Sequence, residues 1–372
     1  MRVARFPSAS PPIFPLDDVT SSLLFGGVPL RGLQEIEAAR AGCRITDVGA
    51  AEPLPADVVA AVADDVVFSS ETLTALLQER ERGELVAAAV QRTTPLWRAS
   101  AALADVQDDL PLQLFAGPCA GLMPAQLFSR ARVAVVCDEA SADETRVAPA
   151  GDGVLRLPAV QRLGGRPRHW LHVLDLSLAA LSLVRRVRGA VAGNNRIGAD
   201  VSIHPTAWIV DSVIEDGARI EPHASVVGSY VGRDVHVADH SVIVNSVLGA
   251  HCRTLVDTHL RRVVAMPEGT LSNLDMQDAL FGTRVFVTTA VAFFHPGPGK
   301  NVLVDGKDSG RAVLGGAIGA RCVLGSRALF AAGTALPPGL LVVARPQEGV
   351  ARLDVEGLGR AAMIFGDRNR DV

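Results

Sequence analysis

The sequence predicts two fold classes in one chain: an α/β domain over residues 1–165, then a solenoid of stacked triangular coils over residues 194–345. Three observations point there. Aliphatic residues recur at Ile197, Ile203, Ile209, Ile214, Ile220, Val226, Val231, Val237, Ile243 and Leu248, in steps of six, six and five, giving a 17-residue period. A helical face repeats every 3.6 residues and a strand every 2, so a longer fixed period implies stacked units that share one core. Aromatic content is 4% against 48% hydrophobic, which suits coils filled by small aliphatics. Before residue 165, short apolar runs alternate with helical patterns, as expected of an α/β domain with a mostly parallel sheet.

Within the solenoid, six residues make a short strand and a corner, so three such segments make one coil. The short step carries the same pattern each time, a valine and a serine at fixed places: Ile209-Val-Asp-Ser-Val213, Val226-Val-Gly-Ser-Tyr230 and Ile243-Val-Asn-Ser-Val247. Gly198, Asp216, Gly232 and Gly249 fall at corners, where strained backbone favours small or polar residues. The strict register lapses after Arg253 and returns at Ile318, Leu324, Phe330 and Leu336. Between them, Val302-Leu-Val-Asp-Gly-Lys-Asp308 reads as a hairpin turning at Asp305-Gly306.

In the first domain, residues 30–40 and 70–82 read as helices, the second with Ser70 as N-cap and Leu73, Leu76 and Leu77 as its apolar face. Residues 65–68 and 85–90 read as strands. The Gly- and Pro-bearing stretch 151–167 ends the domain. A connecting helix is expected within 166–193; residues 170–187 are apolar on most faces and should be buried on more than one side. Residues 346–372 should form a short cap and a frayed tail.

A net charge of −4 gives no sequence-wide attraction to nucleic acid. The longest apolar run is interrupted by His172, Asp175, Arg185 and Arg186, so no membrane span is expected. The N-terminus lacks a signal-peptide apolar core. Cys43, Cys119, Cys137, Cys252 and Cys322 have no metal-ligand spacing and read as reduced thiols of a cytoplasmic protein.

The 17-residue pattern resembles the hexapeptide-repeat transferases, whose coils form a left-handed parallel β-helix. The order of parts is similar to sugar-1-phosphate nucleotidyltransferases, with a Rossmann-like α/β domain before the β-helix. More narrowly, the chain looks like the alternative bacterial type of UDP-N-acetylglucosamine diphosphorylase fused to glucosamine-1-phosphate N-acetyltransferase. The text that carries it is Pro15-Leu-Asp-Asp-Val-Thr-Ser-Ser22, Glu268-Gly-Thr-Leu-Ser-Asn-Leu274 and Asp308-Ser-Gly-Arg-Ala-Val-Leu-Gly-Gly-Ala-Ile-Gly319. The resemblance implies a homotrimer, acetyl-CoA as acyl donor and a small-molecule sugar phosphate as acceptor. Mg²⁺ is implied only if nucleotidyl transfer survives.

That last activity needs cations on the triphosphate, carboxylates for the metal and a glycine-rich loop after the first strand. The loop here reads Pro7-Ser-Ala-Ser-Pro-Pro12, the family's arginine is missing near Ser21, and the first 299 residues contain no lysine. Asp64 and Asp65 are the remaining metal candidates. A degenerate nucleotidyltransferase-like domain is therefore expected. In the acetyltransferases a histidine takes a proton from the acceptor amine. Counting back from Gly269-Thr270 lands on His251, which the spacing favours, while counting forward from Asn245-Ser246 lands on Val256, so His251 and His259 both stand as catalytic candidates. The family's flanking lysine and Gly-Asp pair are absent. Asn273, Lys300 and Arg311 are the substrate-binding candidates, and the loop Phe294-His-Pro-Gly-Pro-Gly-Lys300 is a candidate cover for pantetheine or phosphate. His204, His223, His236 and His240 read as solvated corner residues. Three functions follow as expectations: an acyltransferase of the sugar-nucleotide pathway, a non-catalytic assembly or regulatory subunit, or a surviving nucleotidyltransferase.

Overall fold

The computed structural model describes residues 1–8, 10–79, 84–90, 110–137, 141–147, 155–159, 162–272, 276–294, 299–343 and 363–364. The chain divides into two compact units, Met1–Ile13 with Asp18–Val184 and Phe14–Asp17 with Arg185–Val372.

In the first unit a six-stranded sheet runs in the order Arg44–Asp47, Arg2–Phe6, Val58–Ala63, Leu110–Ala116, Val86–Val90, Arg132–Cys137. It is mixed, because Leu110–Ala116 lies antiparallel to both neighbours while the other pairs are parallel. Val58–Ala63 is buried on both faces apart from Val59, so it carries no polar–apolar alternation to mark it in the sequence. The helix Leu30–Arg40 buries Leu30, Leu33, Gln34, Glu37 and Ala38, the i, i+3, i+4, i+7, i+8 stripe of a core-facing helix. Two of these are polar and fully used. Gln34 donates to the Ala63 and Val66 carbonyls at 2.9 and 2.8 Å, and Glu37 accepts the Ser70 N–H at 2.7 Å. That bond opens the helix Ser70–Glu79, whose cap is Ser69 rather than Ser70: Ser69 Oγ accepts the Thr72 N–H at 3.3 Å. The helix Trp170–Arg188 is buried almost all round from Trp170 to Leu181. Gly26, at φ +63°, lets a tight turn approach it; a Cβ there would sit 2.7 Å from the Ala180 backbone.

The second unit winds through three parallel sheets in rotation. The first face stacks eight strands, from Arg196–Ile197, Val213–Ile214 and Tyr230–Val231 up to Ala335–Leu336. The second stacks nine, from Ser202–Ile203 to Met363–Ile364. The third stacks five: Trp208–Val210, Ser225–Val227, Val242–Val244, His259–Arg261 and Met276–Gln277. Partners are one coil apart, as in Ile197 with Ile214 and Ile220 with Val237, which is the strand arrangement of a parallel β-helix. Ile214, Ile220, Val226, Val231, Val237, Ile243 and Leu248 are all at most 2% exposed and form one core.

The strict 17-residue register lapses after Arg253 as expected, since Leu260 pairs with Met276 and Ala265 with Phe281, one residue short of the period, but the winding itself is unbroken. Coils continue with Thr254, Leu260, Ala265, Leu271 and Met276 pointing inward, all of them buried. Side-chain chemistry changes as well: Thr254 puts a hydroxyl inside, satisfied by the Ala238 N–H at 2.9 Å and by Ser241 Oγ at 3.1 Å. The real interruption comes later, between the strands Leu280–Phe281 and Ala317–Ile318, which pair directly although the chain between them carries the expected hairpin. Leu303–Val304 and Lys307–Asp308 pair there antiparallel around Asp305 and Gly306, at φ +49° and +76°.

The corners also differ from the expectation. The left-handed residues at the corner between the first and second faces are Asp200, Gly217, Asp234, His251, Glu268, Arg284 and Arg321. Gly232 and Gly249 have ordinary φ and are small for another reason: a Cβ on either would lie within 2.8 Å of backbone in the next coil. His236 is on a strand of the second face, where Nε2 meets Glu221 Oε1 at 3.0 Å, rather than at a corner. The recurring serines form a ladder inside the third corner. Ser212, Ser229 and Ser246 each donate Oγ at 2.8 Å to the carbonyl two residues back. Each accepts an N–H from the next coil at 3.0–3.1 Å, from Ser229, Ser246 and Val263 in turn.

Candidate active site on the third face

The two candidate histidines belong to different sides of the coil. His251 sits at the corner between the first and second faces, 58% exposed, in the left-handed conformation that imidazole tolerates. Its Nδ1 lies 3.7 Å from Asp234 Oδ2 in the coil before it. Glu268 follows in the coil after it and is gripped by Arg284 at 2.7 and 3.3 Å. The Arg284 hydrogen bond holds the Glu268 carboxyl below its usual range, with a smaller contribution from the charge of His251. His251 is thus one rung of an exposed charge ladder that runs Asp234, His251, Glu268, Arg284.

His259 lies on the third face, on the strand His259–Leu260–Arg261. Leu260 is fully buried in the core, so strand alternation sends His259 and Arg261 to the outer side, with Cα atoms about 6.6 Å apart. Both are half-buried. Arg261 continues an outward column that begins Val210, Val227, Val244 and ends at Gln277. Its Nε is closed off from solvent and meets no hydrogen-bond acceptor. A buried cationic N–H without an acceptor costs about 1–3 kcal/mol. The next residue behaves differently, because Arg262 Nε donates to Asp278 Oδ1 at 2.6 Å. Sequence reading missed Arg261, since an Arg-Arg pair looks like solvated surface. The signal was present in the repeat, where one arginine interrupts a column of valines spaced by 17.

The other candidates are placed less closely. Asn273 and His295 lie outside the described residues. Lys300 is exposed. Arg311 fixes the base of the hairpin through its backbone: its carbonyl accepts the Val302 N–H at 2.7 Å and its N–H donates to Ser309 Oγ at 3.3 Å. The inserted segment rejoins the coil at Gly315, whose N–H donates to the Asp278 carbonyl at 3.2 Å and where a Cβ would stand 2.5 Å from the Gln277 carbonyl. The insertion therefore returns beside the row that holds Arg261 and Gln277.

In the first unit, both metal candidates have one carboxylate oxygen engaged. Asp64 Oδ1 accepts the Ser8 N–H at 2.7 Å, and Asp65, 1% exposed, meets Arg166 Nε at 2.6 Å. The Arg166 guanidinium offsets the charge of Asp65 through Oδ2, while Asp65 Oδ1 is buried without a hydrogen-bond partner. Among the described residues, no three His, Cys, Asp or Glu side chains converge to hold a metal ion. Burial pushes the Cys119 and Cys252 thiols up to about 12, so neither supplies a thiolate nucleophile near neutral pH. No helix of the described residues is long and apolar enough to cross a membrane.

An imidazole and a guanidinium without an acceptor, two residues apart on the outer side of one strand, can take a proton from one group and hold an anion near it. No protein-family model matches the chain, and no curated protein matches it.

Proposed function

We propose that this chain is a sugar-nucleotide-pathway transferase related to UDP-N-acetylglucosamine diphosphorylase/glucosamine-1-phosphate N-acetyltransferase. Acyl transfer from acetyl-CoA to an amino-sugar phosphate is its surviving activity. The observation that supports this most is the pair His259 and Arg261, outward on the third face of the stacked coils. The amine attacks the thioester carbonyl, forming a C–N bond as the C–S bond breaks. His259 accepts the amine proton and returns it to the departing thiolate. In this reading the coils are left-handed, as in the hexapeptide-repeat transferases that the repeat resembles, and the protein acts in the cytoplasm as a homotrimer. The first unit serves as a degenerate nucleotidyltransferase-like scaffold, because Asp64 and Asp65 are engaged by Ser8 and Arg166.

The test is release of free CoA from acetyl-CoA in the presence of glucosamine-1-phosphate. His259→Ala should lower the rate by roughly 10²-fold or more, the usual size of general-base catalysis, while His251→Ala changes it little. Equal loss in both variants removes His259 from the role. A wild-type protein that releases no CoA with any amino-sugar phosphate leaves the second reading, a non-catalytic assembly or regulatory subunit. The rung position of His251, held between Asp234 and Glu268, favours that second reading for its own corner.

A further inference from the structure

We infer that Arg261 is a phosphate-binding residue, and that the outer side of the third face at His259 and Arg261 takes a phosphate ester. Three features of the second unit carry this. The guanidinium is half-buried, with Nε closed to solvent, yet it has neither a hydrogen bond nor an ion pair to a described residue. Its neighbours on the same unit do: Arg262 meets Asp278, Arg284 meets Glu268 and Arg188 meets Glu215. Other arginines without such partners, such as Arg219 and Arg253 on the second face, are exposed, where water supplies acceptors. Arg185 and Arg311 also bury a guanidinium nitrogen without a hydrogen bond, but Arg185 is held by Asp211 through Nε at 2.6 Å and Arg311 is engaged elsewhere, which leaves Arg261 the one of the three without a partner among the described residues.

A planar fork of N–H donors without a carboxylate is matched by the oxygens of a phosphate, which accept two parallel hydrogen bonds. His259 lies two residues away on the same outer side, so a phosphate held by Arg261 is within one sugar's length of the imidazole. Gln277, in register with Arg261 in the next coil, adds an amide to the same row. The inference deepens the acyl-transfer reading and rests on it only for the choice of ligands. Two sources present the same chemistry: the acceptor's sugar phosphate, or the phosphates of CoA.

Calorimetric titration of the full chain separates them, using two matched pairs: glucosamine-1-phosphate against glucosamine, and CoA against pantetheine. One phosphate-bearing ligand should bind roughly 10- to 100-fold tighter than its phosphate-free partner, the range for a hydrogen bond to a charged group. The pair that shows the difference names the source. Arg261→Gln should abolish that difference, Arg261→Lys should keep part of it, and Arg253→Gln should leave it whole. If Arg261→Gln does not fold, the Lys variant decides, since a point charge recovers attraction but not the fork. Equal affinities within both pairs, or an unchanged difference in both Arg261 variants, overturn the site. Phosphate-dependent binding without CoA release keeps the site and discards acyl transfer. CoA release indifferent to Arg261 does the reverse.

Discussion

At the residue scale, the two fully buried arginines among the described residues, Arg5 and Arg185, are both bound. Arg5 is 2% exposed and is held from several sides, by Asp47 Oδ1 at 2.7 Å, Glu35 Oε1 at 3.0 Å and the Arg31 carbonyl at 3.0 Å. The hydrogen bond from Arg5, helped by the charges of Arg5 and Arg31, holds the Asp47 carboxyl below its ordinary range. A carboxylate with a lowered folded-state pKa adds stability that is fully present above the unfolded value, about 3.9 for Asp, and is lost as pH falls through the folded one. Asp47→Asn should therefore be less stable than the parent at pH 7, and the gap should start to narrow only below about pH 3.9 and close as pH falls through the lowered folded-state value. Urea midpoints at pH 7 and pH 3 measure this; a gap that stays constant contradicts the assignment. Arg261 contrasts with Arg5 and Arg185: it is half-buried, with Nε closed to solvent and no acceptor, which is why we read it as part of a binding surface.

At the scale of the element, each coil is held by two kinds of internal column. The inward aliphatics supply apolar burial, and the serine ladder satisfies backbone groups at the tight third corner, where the chain spends five residues rather than six. Ile220→Asp places an unpaired carboxylate between Ile203 and Val237 and should cost about 3 kcal/mol or more. Thermal melting within a degree of the parent would show that position 220 does not face inward. Ser229→Ala strands the buried Ser246 N–H and should cost about 1–3 kcal/mol, whereas Ser225→Ala, outward on the same coil, should stay within about 0.5 kcal/mol. Denaturant midpoints compare the two. The ladder also explains the recurring serine without any appeal to a reaction: Ser212, Ser229 and Ser246 are structural donors and acceptors, and the left-handed Asn245 precedes the last of them at the turn.

At the scale of the molecule, the assembly proposed above has a direct consequence. β-Helix faces are flat and self-complementary surfaces close most readily by cyclic symmetry. Light scattering of the purified chain should give a mass of three 39.0 kDa protomers, dependent on residues 194–345. A monomeric mass at micromolar concentration would refute the trimer.

By itself the sequence determined the 17-residue period, the inward position of Ile220 and Val237, the hairpin at Asp305-Gly306 and the helices that begin at Leu30 and Trp170. These are legible because each depends on residues that are near in sequence or repeat at a fixed spacing. Only the tertiary structure decided that the first sheet is mixed, that Ser69 is the cap, that the winding continues through Thr254 and Ala265, and that Asp65 meets Arg166. It also separated His251, a rung at a corner, from His259, which shares an outer face with Arg261. Sequence patterns report which side chains can be buried. The partner each polar group finds, 101 residues away for Asp65 and Arg166, is set by where the chain folds back on itself.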